Sequence, residues 1–188
     1  MAKDFRNEVI GPGTFIWNPE HPGGPIAFLG WTRGDAIIRT EKEIVRIEAP
    51  NQSTGSDQFH KTDERVYVTG TFSEMTLDNL RLFFDTPEGI GSHGAIDELC
   101  VGGSDQLTEG ILKVCAMAPD GKKRVFQFHK AHITGDSKEY IMNRTEKTTL
   151  TITWECKLDR SRSEGRQYFC VNDDKSKDYT LTQCLETS

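Results

Sequence analysis

No stretch of this chain approaches the ~18 consecutive apolar residues of a membrane-spanning helix. No CxxC pair occurs among its cysteines, Cys100, Cys115, Cys156, Cys170 and Cys184. Their odd number and wide spacing favour buried free thiols in a reducing compartment over a disulfide frame. The opening MAKDFRNEV lacks an apolar export segment. The sequons at Asn51 and Asn143 therefore mean little, and a product made in the cytoplasm is expected. Apolar residues are sparse, at 35% with a mean hydropathy of -0.57. That is lean for a compact domain and suits a thin wall solvated on two sides. A basic excess is missing too: the net charge is -6, which argues against a DNA-reading or membrane-binding surface. It does not argue against a surface that must avoid adhering to DNA.

Signatures of chemistry are equally scarce. GIGSHG (89–94) matches G-x-G-x-x-G, but it follows a helical segment and a proline, with no βαβ unit around it, so a loop is expected. His129 and His132 form H-x-x-H. On a strand that offset places them on opposite faces, where they cannot share a metal unless the chain bends. No G-x-S-x-G elbow is present. No catalytic, cofactor-binding or metal-binding residues are assigned, and no enzyme is expected.

What the chain does carry is strand periodicity, within a length that suits one domain. TFIW (14–17), IAFLGW, GDAIIRT and EIVRIEA (43–49) read as strands around a Pro/Gly-rich loop, NPEHPGGP (18–25). In ERVYVTGTFS (64–73), Val66, Val68, Gly70 and Phe72 share one face; Arg65, Tyr67, Thr69 and Thr71 share the other. In KTTLTITWECKLD (147–159), Leu150, Ile152, Trp154, Cys156 and Leu158 oppose Thr149, Thr151, Thr153, Glu155 and Lys157. One apolar and one polar face suit an antiparallel sheet wet on one side. ILKVCAMA (111–118) and KRVFQF (123–128), joined through Pro119-Asp120-Gly121, predict a hairpin. QYFCV (167–171) predicts a strand followed by a charged segment, NDDKSKD. The polar stretch 49–64 is long for a hairpin loop, and loops of that length are usually functional or disordered.

SEMTLDNLRLFFD (73–85) is the one helical segment. Thr76 suits the N-cap, Met75 and Leu80 suit a hydrophobic staple, and Pro87 ends the run. Leu77, Leu80 and Phe84 share a face. So short a helix must dock on a sheet to persist. That face is the expected docking face, leaving Asp78, Asn79 and Arg81 free to meet a neighbouring subunit.

The order of features resembles a tailed-bacteriophage major tail tube protein. GPGTFIWNP followed by FLGWTRGDAIIR opens the pattern; EIVRIEA runs into a polar loop and returns through ERVYVTGTFSEMTLDNL. The strand leading directly into hydrophobic-x-E-x-T-L-x-N-L is the most telling part. VFQFHKAHITG and TTLTITWECKLD close it. The resemblance covers about residues 9–159.

It implies an antiparallel β-sandwich of the tail-tube fold, with one short flanking helix, a long inter-strand loop and extended N- and C-terminal arms. Residues 1–159 would form that domain with its N-terminal arm, and 160–188 an extension packed on or between subunits. Six copies per ring, stacked into a hollow tube, would make the conduit for DNA ejection in a virion assembled in the bacterial host cytoplasm. The implied partners are further copies of the chain, a tape measure protein, tail terminator and distal tail or baseplate proteins, and double-stranded DNA that passes without specific binding; no membrane binding is implied. The long loop, with Asn51, Gln52, Asp57, Phe59 and His60, is expected to reach the neighbouring ring. Glu41, Glu43, Glu48, Asp63 and Glu64 flank it and are the candidate lumen acids, since DNA slides past acids and sticks to basic clusters. Otherwise nothing sets two of these acids apart from a solvated surface. The rival from another class is a monomeric carbohydrate-binding or adhesin sandwich, with Trp17, Trp31 and Tyr67 as stacking platforms, though aromatics of this kind more often belong to a core.

Overall fold

The computed structural model describes residues 2–9, 13–19, 27–47, 58–73, 76–84, 91–93, 96–99, 108–118, 120–134 and 149–178. The chain is mainly antiparallel β with one short helix. Its strands are β1 (Ala2–Val9), β2 (Thr14–Pro19), β3 (Ala27–Trp31), β4 (Ile37–Ile47), β5 (Gln58–Phe72), β6 (Gly91–His93), β7 (Ile96–Glu98), β8 (Glu109–Met117), β9 (Lys122–Ile133), β10 (Leu150–Cys156) and β11 (Phe169–Asp178), with α1 (Leu77–Phe83) after β5. Nine strands form one sheet in the order β1-β4-β5-β10-β9-β8-β2-β3, with β11 also on β9; β6 and β7 form a separate two-stranded ribbon.

The sheet bends over its own inner face. β2 and β5 lie four strand spacings apart, roughly 19 Å in a flat sheet. Yet the rings of Phe15 and Phe72 are 5.2 Å apart edge-on, and Phe15 stacks on Trp154 at 5.5 Å. Val66, Val68, Ile152, Leu112, Val114 and Phe128 fill the space between. The alternation read from 64–73 and 147–156 is the alternation observed: Val66, Val68, Gly70 and Phe72, with Leu150, Ile152, Trp154 and Cys156, are buried. Leu158 lies past the end of β10 and is 37% exposed.

Thr32 draws the fold together where it comes round. Its Oγ1 accepts from the Gly13 amide at 3.0 Å and donates to the Gly34 carbonyl at 2.8 Å. It bridges Phe72, and the Arg33 amide donates to the Thr71 carbonyl at 2.7 Å. The end of β3 therefore meets the end of β5, and the β4–β5 hairpin, edged by β1, continues beyond that meeting point.

Along β9 one edge is shared. β10 pairs with Ala131–Ile133 and β11 with Lys122–Phe128, so the two strands run end to end. Between them β9 carries His129 and Lys130, and its register against β8 slips between Gly110 and Leu112. Such a bulge is a usual way to turn a sheet corner. The β8–β9 hairpin turns as its Asp-Gly step predicts, with Gly121 at φ 78°.

Several expectations need correction. The stretch 1–13 is not simply an arm: Ala2–Val9 is a strand on β4. The long loop does not extend to 64, because β5 is already paired from Gln58, opposite Ile47. The polar composition of 58–64 and a register shift between Glu43 and Ile44 hide that pairing from a reading by alternation. GIGSHG is not a plain loop, since Gly91–His93 pairs with Ile96–Glu98. NDDKSKD is strand, with Arg124 clasping Asp173 through two bonds of 2.6 and 2.7 Å. Charged residues are tolerated there much as on edge strands generally.

Candidate functional site

Strand alternation places two kinds of surface on this molecule. The outer face of β4, β5 and β10 is polar. Thr69 faces Thr153, and Thr71 faces Thr151, each pair sharing a hydroxyl hydrogen bond of 3.0 Å. Along the same face Arg39 pairs with Glu41 at 2.8 Å and Arg65 with Asp63 at 3.0 Å. Ile37, Tyr67 and Thr134 help line a depression of about 550 Å³ in it. The second surface is the outer edge of β1, which has a described neighbour, β4, on one side only; the other end of the sheet, β3, is turned onto β5 at Thr32.

The candidate lumen acids divide between faces. Glu41 and Glu43, opposite Arg65 and Asp63, lie on the polar face together with Asp63. Glu64 does not join them. It stands opposite Lys42, forms ion pairs with Lys42 at 3.2 Å and with Lys61, and belongs to the side that continues into the core. Burial on its own would raise the Glu64 carboxyl; Lys61 and Lys42 outweigh it and hold it below the ordinary value. Glu48, Asn51, Gln52 and Asp57 lie outside the described residues. Phe59 and His60 are strand residues opposite Arg46 and Val45, not loop.

The helix is capped as its sequence predicts: the Asn79 amide donates to Thr76 Oγ1 at 3.2 Å and the Leu80 amide to the Thr76 carbonyl at 3.0 Å. Its docking face is turned from the expected one. Asn79 and Phe83 are buried, at 3% and 1% exposure, with Leu80 and Phe84 packed at the margin of the core and Leu77 half-buried outside it. Asn79 is therefore not free for a neighbour. A polar residue at the centre of a docking face is what an apolar-periodicity reading assigns to the outside. Met75 and Pro87 lie outside the described residues.

The H-x-x-H pair is split by the bulge in β9. His132 lies between Glu109 and Glu155 in register, its Nε2 3.8 Å from Glu155. His129 is 4% exposed, with neither ring nitrogen hydrogen-bonded. Burial first, and then Arg162, push its pKa below the ordinary value against the smaller pull of Asp159. Among the described residues no three His, Cys, Asp or Glu side chains gather as metal ligands would. Cys115 and Cys156 are buried and in no disulfide, and burial pushes the Cys156 thiol far up. Trp17, offered above as a stacking platform, is 1% exposed and belongs to the core.

A further feature was not legible from the sequence. Between β10 and β11, residues 157–168 leave the sheet and return to it. The Lys157 amide donates to the Lys130 carbonyl at 2.7 Å, the Asp159 amide to Gln167 at 3.0 Å and the His129 amide to Tyr168 at 3.1 Å. Glu109 clasps both Lys157 and Lys130, at 2.6 and 2.9 Å.

No protein-family model matches the chain, and no curated protein matches it. Among solved chains similar to it are two from gene transfer agent particles. One comes from the tail of an empty gene transfer agent (GTA) particle, obtained by helical refinement with C6 symmetry. It is 14% identical, with a TM-score of 0.46 over 77% of this chain and 90% of that one. The other comes from the virion of a native gene transfer agent particle and is also 14% identical, with a TM-score of 0.42 over 70% of this chain and 84% of that one.

Proposed function

We propose that this chain is a structural virion protein whose copies complete one another's sheets, forming hexameric rings that stack into the hollow tail tube of a bacteriophage. The tube is the conduit for DNA ejection. During assembly it holds the tape measure protein, and its ends meet the terminator and the distal tail or baseplate proteins.

The observation that carries it is the form of the main sheet. It encloses a full core and turns its β3 end back onto β5 through the Thr32–Phe72 bridge, yet at its other end the outer edge of β1 has no described partner. Unpaired edges invite association. A head-to-tail contact that closes by rotation turns such edges into a ring, and a rise between rings makes a filament. The polar Thr and ion-pair face of β4, β5 and β10 then has a wet lumen to look into, consistent with the low apolar content of the chain. The rival, a monomeric binding module, loses Trp17 as a platform because that ring is in the core.

Electron microscopy of the concentrated, negatively stained protein tests the proposal. Rings or tubes are expected; featureless single particles at every concentration would overturn it.

A further inference from the structure

We propose that residues 157–168 form a preorganised arginine-bearing loop that docks on an acidic surface of a second copy of this chain. The inference rests on the reading that copies assemble, and it names a contact within that assembly.

The first argument is that the fold does not need the loop's length. Cys156 lies opposite Ala131 and Phe169 opposite Phe128, so only His129 and Lys130 of β9 separate the two strands. A far shorter connection would carry β10 into β11. The loop is nonetheless ordered. Its neck is tied by the three backbone bonds described above. Within it, the Asp159 carboxylate accepts from the Ser161 amide at 3.1 Å, the Ser161 hydroxyl at 2.6 Å and Arg162 Nε at 3.1 Å. The Arg166 amide donates to the Ser163 carbonyl at 3.0 Å, and Gln167 Nε2 to the Arg162 carbonyl at 3.3 Å. Tyr168 Oη anchors the return by donating to the Glu64 carbonyl at 2.6 Å. Compact loops with joined ends are frequently functional. Ordering a segment costs conformational entropy, and residues 160–166 are all exposed, so burial does not offset that cost within one copy.

The second argument is charge. Arg39, Arg65, Arg124 and Arg162 are each held by a carboxylate. Arg160 and Arg166 have no side-chain partner among the described residues and are exposed on either side of the loop, just beyond the Asp159–Gln167 bond of its neck. The loop's basic residues, Lys157, Arg160, Arg162 and Arg166, outnumber its acids, Asp159 and Glu164. The whole chain is at -6, so the rest of it is more acidic than that total. A second copy therefore offers the surface that this loop complements, and two free guanidiniums can each grip a carboxylate in a paired geometry.

The test compares the full-length wild type with Arg160→Glu/Arg166→Glu and with Arg160→Lys/Arg166→Lys, by sedimentation and by microscopy. Both variants change exposed side chains, so their melting temperatures should match the wild type. The Glu variant is expected to lose assembly or to need about tenfold more protein for it. The Lys variant should retain more, and wild-type assembly should weaken between about 50 and about 500 mM salt. Assembly of the Glu variant at the wild-type concentration would overturn the loop contact while leaving the tube reading intact. A wild type that never self-associates would overturn both. A gel shift of short duplex DNA by the wild type but not by the Glu variant would identify phosphate as the partner and overturn docking on a second copy.

Discussion

Gly70 sits where a methyl group has no room. A Cβ there would lie 2.9 Å from both the Phe15 and Phe72 rings, inside the aromatic cluster that holds β2 against β5. Gly70→Ala is expected to cost about 1–3 kcal/mol by forcing those rings apart, read as a lowered urea midpoint; an unchanged midpoint would show the cluster to be loosely packed. His129 gives a prediction about pH. Its pKa is lowered in the folded chain, so the unfolded chain binds the proton first as pH falls through about 6.5. The unfolded state then holds more protons than the native one, and stability falls with falling pH across that window. Subtracting the pH profile of His129→Phe from that of the wild type isolates this residue from His132 and the other titrating groups. Parallel profiles would exclude the assignment.

At the scale of elements, the helix makes a sharper prediction than its sequence does. Phe83 is buried, so Phe83→Ala should cost about 3–5 kcal/mol. Leu77→Ala should cost well under half of that, and equal losses in denaturant titrations would restore the face read from spacing. The strands were largely legible because burial follows a period of two: Val66, Val68 and Phe72, or Leu150, Ile152 and Trp154, announce their face directly. What was not legible fails that test for a physical reason. Gln58–Glu64 pairs through charged and polar residues, Asn172–Asp178 holds its place partly by an Arg124–Asp173 clasp, and the bulge at His129–Lys130 breaks the period where β9 changes partner. Of the candidate site, the Thr face of β5 and β10 was readable, but the separation of Glu64 from Glu41, Glu43 and Asp63 depends on pairing register. The hairpin itself yields a test of axial contact. Excising 51–57 spares the β4–β5 ladder, which ends at Ile47 opposite Gln58. The protomer should stay soluble with an unchanged melting temperature yet fail to form long tubes; tubes of normal length would remove this hairpin from the contact between rings.

At the scale of the whole molecule, the reading turns on which way the polar face of β4, β5 and β10 looks. Its arginines are already paired, Arg39 with Glu41 and Arg65 with Asp63, so it offers duplex phosphate few competing cations. A wall of that kind would let DNA pass, whereas free basic clusters would bind it and do so in a salt-dependent way. If this face lines a lumen, a thiol placed on it must be reachable by small molecules in the assembled tube and unreachable by large ones. Thr151 is exposed and stands on this face across from Thr71, so Thr151→Cys removes one hydroxyl hydrogen bond and leaves the core untouched. Against the wild-type background of native thiols, this variant should react with a small maleimide both as a protomer and as a tube. A maleimide coupled to a bulky protein should label only the protomer. Labelling of intact tubes by the bulky reagent would place the face outside, and the threonines and paired charges would then belong to the outer wall instead of the DNA path.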